Sequence, residues 1–117
     1  MKARILVADD DKSMLGLYDR IFAATGYAIA KAESFSEAVR LMEETAFDLL
    51  ITDFSFPDGI GTDLARLFSE RRGKRGCLLV TGSVSPSDKL RLDDVNRLIE
   101  KPFKVEEFMT AVSEALA

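Results

Sequence analysis

Short apolar segments and amphipathic segments alternate along this chain of 117 residues, and this alternation restricts the possible folds more than any other feature. Five apolar segments have the length and composition of strands, namely 4–8, 27–30, 47–52, 77–81 and 97–100. Strands that alternate with helices form βαβ units with right-handed crossovers. The pattern therefore predicts an α/β fold, in which helices cover both faces of a doubly wound parallel sheet.

The amphipathic segments between these strands predict the helices. The first runs from Lys12 to Thr25, and Gly26 suits the left-handed conformation that often follows a helix end. In the second, Ser34 and Glu37 have the spacing of a capping box, in which side chains accept hydrogen bonds from amides of the first turn. The apolar faces of the third and the last helix are predicted to consist of Ile60, Leu64, Leu67 and Phe68, and of Val105, Phe108, Met109, Val112 and Leu116.

The composition excludes several classes of protein. The chain has no His, so it cannot form a Ser–His or Cys–His catalytic pair, and its lone Cys77 lies in an apolar run where we expect it to be buried. The net charge of −4 argues against nucleic-acid binding, and the basic cluster 71–75 is expected to be a solvated loop. No apolar run reaches the ~18 residues of a membrane span. We expect one cytoplasmic domain, 1–117.

Polar side chains stand at the carboxyl ends of four of the five predicted strands. Asp9 and Asp10 follow the first strand, Asp53 follows the third, Thr81 ends the fourth and Lys101 follows the fifth. In an open parallel sheet these ends converge beside the topological switch point, where ligands bind. Each aspartate alone could be an ordinary helix cap or turn residue. Together, the carboxylates need a cation to offset their repulsion, and oxygen ligands without His or Cys suit Mg²⁺.

With these residues in place, the sequence resembles the receiver domain of two-component response regulators over essentially its whole length. The matching motifs are 5–11, 53–61, 79–82 and Lys101-Pro102-Phe103. The resemblance implies a flavodoxin-like fold with a five-stranded parallel sheet in the order 2-1-3-4-5. It also implies a receiver domain that accepts a phosphoryl group from a phosphohistidine, carried by a sensor histidine kinase or a histidine phosphotransfer protein.

The resemblance also assigns a role to each residue at the strand ends. Asp53 is the expected phosphoacceptor, Thr81 is expected to hydrogen-bond the phosphoryl group, and Lys101 is expected to pair with it. The expected Mg²⁺ ligands are Asp10 directly, Asp9 through water, Asp53, and the backbone carbonyl of Ser55. The chemistry agrees with these roles, because a carboxylate can be a nucleophile and phosphoryl transfer requires mainly positioning and charge neutralisation.

The sequence departs from the family pattern in the region that is expected to signal. Leu98 stands three residues before the lysine, where many members have an aromatic residue that moves inward when the threonine engages the phosphoryl group. The segment between Thr81 and Lys101 is also shorter than is usual in the family. We therefore hypothesise that a short, mobile fourth helix lies within 84–95 and that its ordering reports phosphorylation. Thr81 would act on this helix by moving towards the phosphoryl group and pulling the loop that leads into the helix. Partner binding would then change at the face formed by this helix, the fifth strand and the last helix. At position 60 this chain has Ile, where the family more often has Asp or Ser. The peptide bond between Lys101 and Pro102 can be cis or trans.

Three other functions are compatible with parts of the pattern. A phosphatase of the haloacid-dehalogenase type needs a second Asp two residues after the nucleophile, where this chain has Ser55. A nucleotide-binding protein needs a complete glycine-rich loop, of which only the fragment 59–61 is present. An interaction module independent of phosphorylation would normally lack Asp10, Asp53 or Lys101. We expect a switch that is not an enzyme and does not bind nucleic acid or membrane. The domain would act alone or as part of a longer regulator or a hybrid kinase, and the sequence does not identify its downstream partner.

Overall fold

A parallel sheet lies at the centre of the computed structural model, which describes residues 2–72, 76–82 and 92–117. In these ranges the strands are β1 (Arg4–Ala8), β2 (Ala28–Ala32), β3 (Leu49–Thr52), β4 (Ser55–Phe56), β5 (Gly59–Ile60), β6 (Gly76–Thr81) and β7 (Arg97–Glu100). The helices are α1 (Lys12–Phe22), α2 (Phe35–Glu44), α3 (Gly61–Arg72) and α4 (Val105–Leu116).

The topology of the sheet is the one that the sequence predicts. Five strands lie in the order β2-β1-β3-β6-β7 and all four pairings are parallel, while β4 and β5 form a separate antiparallel hairpin. When the five strands of the main sheet are counted alone, this is the order 2-1-3-4-5. The prediction of a doubly wound sheet is therefore confirmed.

The core lies on both faces of the sheet because successive residues of a strand point in opposite directions. In β1, Ile5 and Val7 pack on the face that is covered by α1 and α4, whereas Leu6 and Ala8 pack on the face covered by α2 and α3. All four residues of β3 are buried, as expected for a central strand of a parallel sheet. Cys77 is also buried, as predicted. Among the described helices, none has the length and apolar character required to cross a bilayer.

The end of α1 differs from the prediction. The helix ends at Phe22 rather than Thr25, and Gly26 does not adopt the left-handed conformation. The carbonyl oxygen of Phe22 instead accepts hydrogen bonds from the amide of Thr25 at 3.0 Å and from its hydroxyl at 2.8 Å. Because Thr25 satisfies this terminal carbonyl, no left-handed glycine is needed to close the helix.

The segment before α3 also differs from the prediction. Residues 55–60 were expected to form a turn and the start of a helix, but they form the hairpin of β4 and β5. Ile60 lies in this hairpin with 40% of its surface exposed, so its assignment to the apolar face of α3 is wrong. The buried hydrophobic residues described in α3 are Leu64, Ala65 and Phe68. Val105, expected on the apolar face of the last helix, is exposed as well.

The amino end of α2 carries most of the predicted capping box. Ser34 is the N-cap, and its hydroxyl oxygen accepts a hydrogen bond from the amide of Glu37 at 3.1 Å. The carboxylate of Glu37 accepts from the amide of Glu33 at 2.8 Å, one residue earlier than the standard motif requires. The first two amides of the helix, those of Phe35 and Ser36, donate to the Asp58 carboxylate, each at 3.0 Å.

Two sequence predictions fall wholly or mainly outside the described residues. The hypothetical mobile helix occupies 84–95, of which the structure describes only 92–95, and these four residues are not helical. Of the predicted basic loop 71–75, the last three residues lie outside the described ranges. Arg71 and Arg72 belong to the last turn of α3, and Arg71 pairs with Glu43 at 3.2 Å.

We predict a pH-dependent contribution of Asp58 to stability. Its hydrogen bonds from the amides of Ser36 and Phe35 hold the pKa of this carboxyl below its usual range. The contribution is therefore complete above the ordinary aspartate pKa of about 3.9, and it is lost as the pH falls through the native pKa. Asp58→Asn should melt below the wild type at neutral pH, with a difference that shrinks below about pH 3.9 in calorimetric scans. A difference that is independent of pH would contradict this explanation.

Candidate functional site

Three carboxylates meet at the carboxyl end of the sheet. Asp9 and Asp10 follow β1, and Asp53 follows the neighbouring strand β3. Each residue has a carboxylate oxygen within 4.8 Å of such an oxygen on the other two. Asp9 is buried, Asp53 is half-buried and Asp10 is exposed, so the cluster extends from the interior to the surface. The structure thus brings together the three aspartates that the sequence singled out.

The backbone of the sheet fixes the direction of two of these carboxylates. The amide of Asp9 donates to the carbonyl of Ala32 at 3.0 Å, and the amide of Asp53 donates to the carbonyl of Ala8 at 2.9 Å. Each of these bonds continues a strand pairing by one residue past the strand end. The carboxylates then accept bonds from the following chain, Asp9 from the amide of Asp11 and Asp53 from the amide of Phe54, both at 2.9 Å.

Lys101 brings a positive charge into this acidic cluster. Its amide donates to the carbonyl of Thr81 at 2.8 Å, which carries the pairing of β6 and β7 past the strand ends. Its ammonium nitrogen lies 3.0 Å from Oδ2 of Asp9 and 3.8 Å from Oδ1 of Asp53. The first distance is a hydrogen bond, and the second is an electrostatic contact. The peptide bond between Lys101 and Pro102 is cis.

The remaining predicted site residues lie on the strands around this cluster. Thr81 is buried at the end of β6, which lies next to β3 in the sheet. Ser55 is exposed in β4, two residues after Asp53, and pairs with Ile60 across the hairpin. Asp9, Asp10, Asp53, Thr81 and Lys101 therefore lie at or directly after the ends of β1, β3, β6 and β7, and Ser55 lies in β4.

The electrostatics of the cluster disfavour the ionised form of Asp53. Burial raises the pKa of this carboxyl most, and the charge of Asp9 raises it further. Lys101 and the amide of Phe54 lower it, but they do not compensate fully. Beneath the cluster, burial and the charges of Asp9 and Asp53 raise the pKa of the Tyr18 phenol, so its hydroxyl stays protonated. An additional cation would relieve the strain of these like charges.

Gly61, to which the sequence assigned no role, holds the segment after Asp53 in place. The amide of Gly61 donates to the carbonyl of Phe54 at 2.6 Å, and a Cβ at position 61 would overlap the carbonyl oxygen of Asp53. Only glycine permits this close approach of two backbones. Its signal in the sequence is its place in the motif 53–61, but the contact itself depends on the fold.

The donor set of the cluster determines which ions it can hold. All its side-chain ligands are carboxylate oxygens, and Lys101 provides a charge that can pair with an anion but cannot bind a cation. Such a set fits a hard divalent cation, and Mg²⁺ typically binds through one or two carboxylates together with phosphate oxygens. The arrangement can therefore bring a cation and an ammonium group close to Asp53.

Comparison with known proteins places the chain among signalling domains. A family model described as the response regulator receiver domain matches residues 5–113. The response regulator receiver protein CpdR of Brucella abortus is 26% identical, over 97% of this chain and 96% of its own length. The virulence sensor protein BvgS of Bordetella pertussis is 28% identical over 97% of this chain. The DNA-binding response regulator MtrA of Mycolicibacterium smegmatis is 27% identical over 99% of it. The chain spans 10% of BvgS and 51% of MtrA.

Solved structures agree with this assignment. A CheY-like response regulator receiver domain from Methanospirillum hungatei is 27% identical, with a TM-score of 0.91 over 99% of this chain and 94% of its own. The non-phosphorylated receiver domain of HemR from Leptospira biflexa is 29% identical, with a TM-score of 0.86 over 99% and 95% of the two chains. The fold, the acidic strand ends and the match of the family model lead to one conclusion: this chain belongs to the response regulator receiver domain family.

Proposed function

We propose that this domain is a phosphorylation-controlled switch in which Asp53 accepts a phosphoryl group. The donor is a phosphohistidine of a sensor histidine kinase or a histidine phosphotransfer protein. One observation carries the proposal: three carboxylates converge, and the ammonium group of Lys101 lies 3.0 Å from Asp9 and 3.8 Å from Asp53. The half-buried position of Asp53 supports it, because a partner's phosphohistidine can reach this carboxylate.

The proposed transfer forms one bond and breaks another. A carboxylate oxygen of Asp53 bonds to phosphorus while the nitrogen–phosphorus bond of the phosphohistidine breaks, and the imidazole nitrogen keeps the electron pair of that bond. Lys101 then pairs with an oxygen of the phosphoryl group, and Thr81 donates a hydrogen bond to another. The protein contributes mainly position and charge, as is general for phosphoryl transfer.

Mg²⁺ is the cofactor that we propose for this site. Asp10, Asp53 and the backbone carbonyl of Ser55 would hold it directly, and Asp9 would hold it through water. When bound, it supplies positive charge that neutralises the carboxylates and the phosphoryl oxygens. The oxygen-only donor set and the raised pKa of Asp53 support this assignment, because both indicate a site that gains from a hard cation.

We further propose that the domain is a switch rather than an enzyme acting on a free substrate, and that it signals through the face formed by 84–95, β7 and α4. The connection between Lys101 and this face supports the second point. Lys101 is followed by Pro102 and Phe103, and the ring of Phe103 stacks on Phe108 of α4 with centroids 4.8 Å apart. A displacement of Lys101 towards a phosphoryl group would therefore act directly on α4.

The first prediction tests the phosphoacceptor. Incubation with a small phosphodonor and Mg²⁺ should add one phosphoryl group to the wild type, detected by intact-protein mass spectrometry, and should add none to Asp53→Asn. Asp63→Asn is the matched control, since its carboxylate is exposed on α3 outside the cluster. It should be phosphorylated like the wild type. Equal phosphorylation of Asp53→Asn would refute the assignment.

The second prediction concerns metal binding. Mg²⁺ should raise the melting temperature of the wild type by mass action, since a ligand at a hundred times its dissociation constant stabilises the native state by about 2.7 kcal/mol. Asp10→Asn should lose most of this response because it removes an expected ligand. Thermal melts with Mg²⁺ or EDTA measure both. If Asp10→Asn responds as strongly as the wild type, the metal binds elsewhere.

The third prediction concerns the cost of charge in the metal-free site. Since the native pKa of Asp53 is raised, its ionisation lowers stability as the pH rises above about 3.9 through the native pKa. Asp53→Asn should therefore melt at a higher temperature than the wild type at neutral pH in EDTA, and this gain should vanish in acid. Asp63→Asn should show no such gain. A destabilised Asp53→Asn at neutral pH would contradict the repulsion argument.

A further inference from the structure

The loop between β3 and α3, residues 53–61, is held in place at three points, one of which is a contact within the loop itself. At its start, the amide of Asp53 donates to the carbonyl of Ala8 in β1. At its end, the amide of Gly61 donates back to the carbonyl of Phe54, against the backbone of Asp53. The third point is at the tip of the hairpin, where Asp58 reaches α2, and neither the metal site nor the phosphoryl transfer described above uses it.

The contact at the tip joins the loop to the first turn of α2. The two carboxylate oxygens of Asp58 accept separate hydrogen bonds, Oδ1 from the amide of Phe35 and Oδ2 from the amide of Ser36, each at 3.0 Å. Ser34 already satisfies the amide of Glu37, so these two donors are the ones that the capping box leaves over. The carboxylate also carries the charge that the amino end of a helix favours.

Packing at the same point leaves the hairpin little room to move. A Cβ at Gly59 would lie 2.5 Å from atoms of the Phe35 ring, so the backbone of the hairpin rests directly on that side chain. Phe56, opposite Gly59 in the hairpin, is buried. Asp58 and Gly59 thus attach the hairpin to α2 by hydrogen bonds and by close contact.

This attachment matters because the hairpin cannot fix its own position. It consists of two pairs of residues, and an isolated two-stranded hairpin is at best marginally stable in water. Ser55 lies in this hairpin and carries the carbonyl that we expect to bind Mg²⁺. If the hairpin were free, binding of the ion would first have to order it, and this cost would reduce the affinity.

We propose that Asp58 is a positioning residue, which holds the hairpin against α2 and thereby keeps the Ser55 carbonyl arranged for Mg²⁺. This inference rests on the proposed function, and Asp58 itself is not one of the proposed Mg²⁺ ligands. Asp58 acts by preorganisation, because its contact with α2 orders the loop before the ion binds. The free energy of ordering the loop therefore does not reduce the Mg²⁺ affinity.

Magnesium affinity in matched variants tests the proposal. Asp58→Asn keeps the size of the side chain but turns one acceptor into a donor that faces a backbone amide, and Asp58→Ala removes both acceptors. Ser34→Ala is the control, because it weakens the same helix end through the amide of Glu37 and leaves the contact with the loop intact. Amide chemical shifts of the free domains, followed during titration with Mg²⁺, measure each dissociation constant.

We expect the Mg²⁺ dissociation constant to rise about three- to tenfold in both Asp58 variants and to stay within about twofold of the wild type in Ser34→Ala. In phosphorylation by a small phosphodonor, the half-saturating Mg²⁺ concentration should rise by the same factor, while the rate at saturating Mg²⁺ stays close to that of the wild type. Asp58→Glu, which keeps both acceptors, should recover part of the affinity. Loss of stability alone would produce none of these selective changes.

The possible outcomes separate this inference from the proposed function. Wild-type Mg²⁺ affinity in a folded Asp58→Asn or Asp58→Ala domain would overturn it, and so would an equal loss of affinity in Ser34→Ala. If either Asp58 variant does not fold, the other and Asp58→Glu give the same comparison. Failure of the wild type to bind Mg²⁺ or to accept a phosphoryl group would overturn the proposed function, and this inference with it.

Discussion

The pairing of Lys101 with Asp9 is the interaction on which the site depends. It joins the end of β7, at one edge of the sheet, to the end of β1 near its centre, across 92 positions of sequence. A buried carboxylate without a partner is costly, so the ammonium group makes the acidic cluster tolerable in the folded chain. The same ammonium group is 3.8 Å from Asp53. In the function that we propose, it exchanges its partner for a phosphoryl oxygen.

Hydrogen bonds and close contacts fix the backbone around this ammonium group. Hydrogen bonds one residue past the strand ends hold Asp9, Asp53 and Lys101, and Gly61 lies against the carbonyl of Asp53. Asp58 adds a connection to α2, which covers the same face of the sheet as α3. Rigid backbone and exchangeable side-chain partners together suit a switch, because binding then changes the charges without first having to build the site.

This organisation has a cost in stability. Burial and the neighbouring Asp9 raise the pKa of Asp53, which means that the folded domain tolerates an ionised group less well than water does. Functional sites commonly keep such unfavourable charges, since a group that is already satisfied gains little from a ligand. In this domain the unfavourable charge lies at the end of β3, the central strand of the sheet, next to β1, whose end carries the other two aspartates.

The sequence by itself determined the fold class, the sheet order and the residues of the acidic cluster. The fold class and the acidic cluster follow from local patterns and from the general rule that the ends of parallel strands converge, and the resemblance to a family added the sheet order and the expected roles. Only the tertiary structure decided that Ile60 is exposed in a hairpin and that Asp58 caps α2. Each of these depends on which groups meet in space. Asp58 lies 23 residues from Phe35, and no periodicity along the chain records that two helix amides lacked an acceptor.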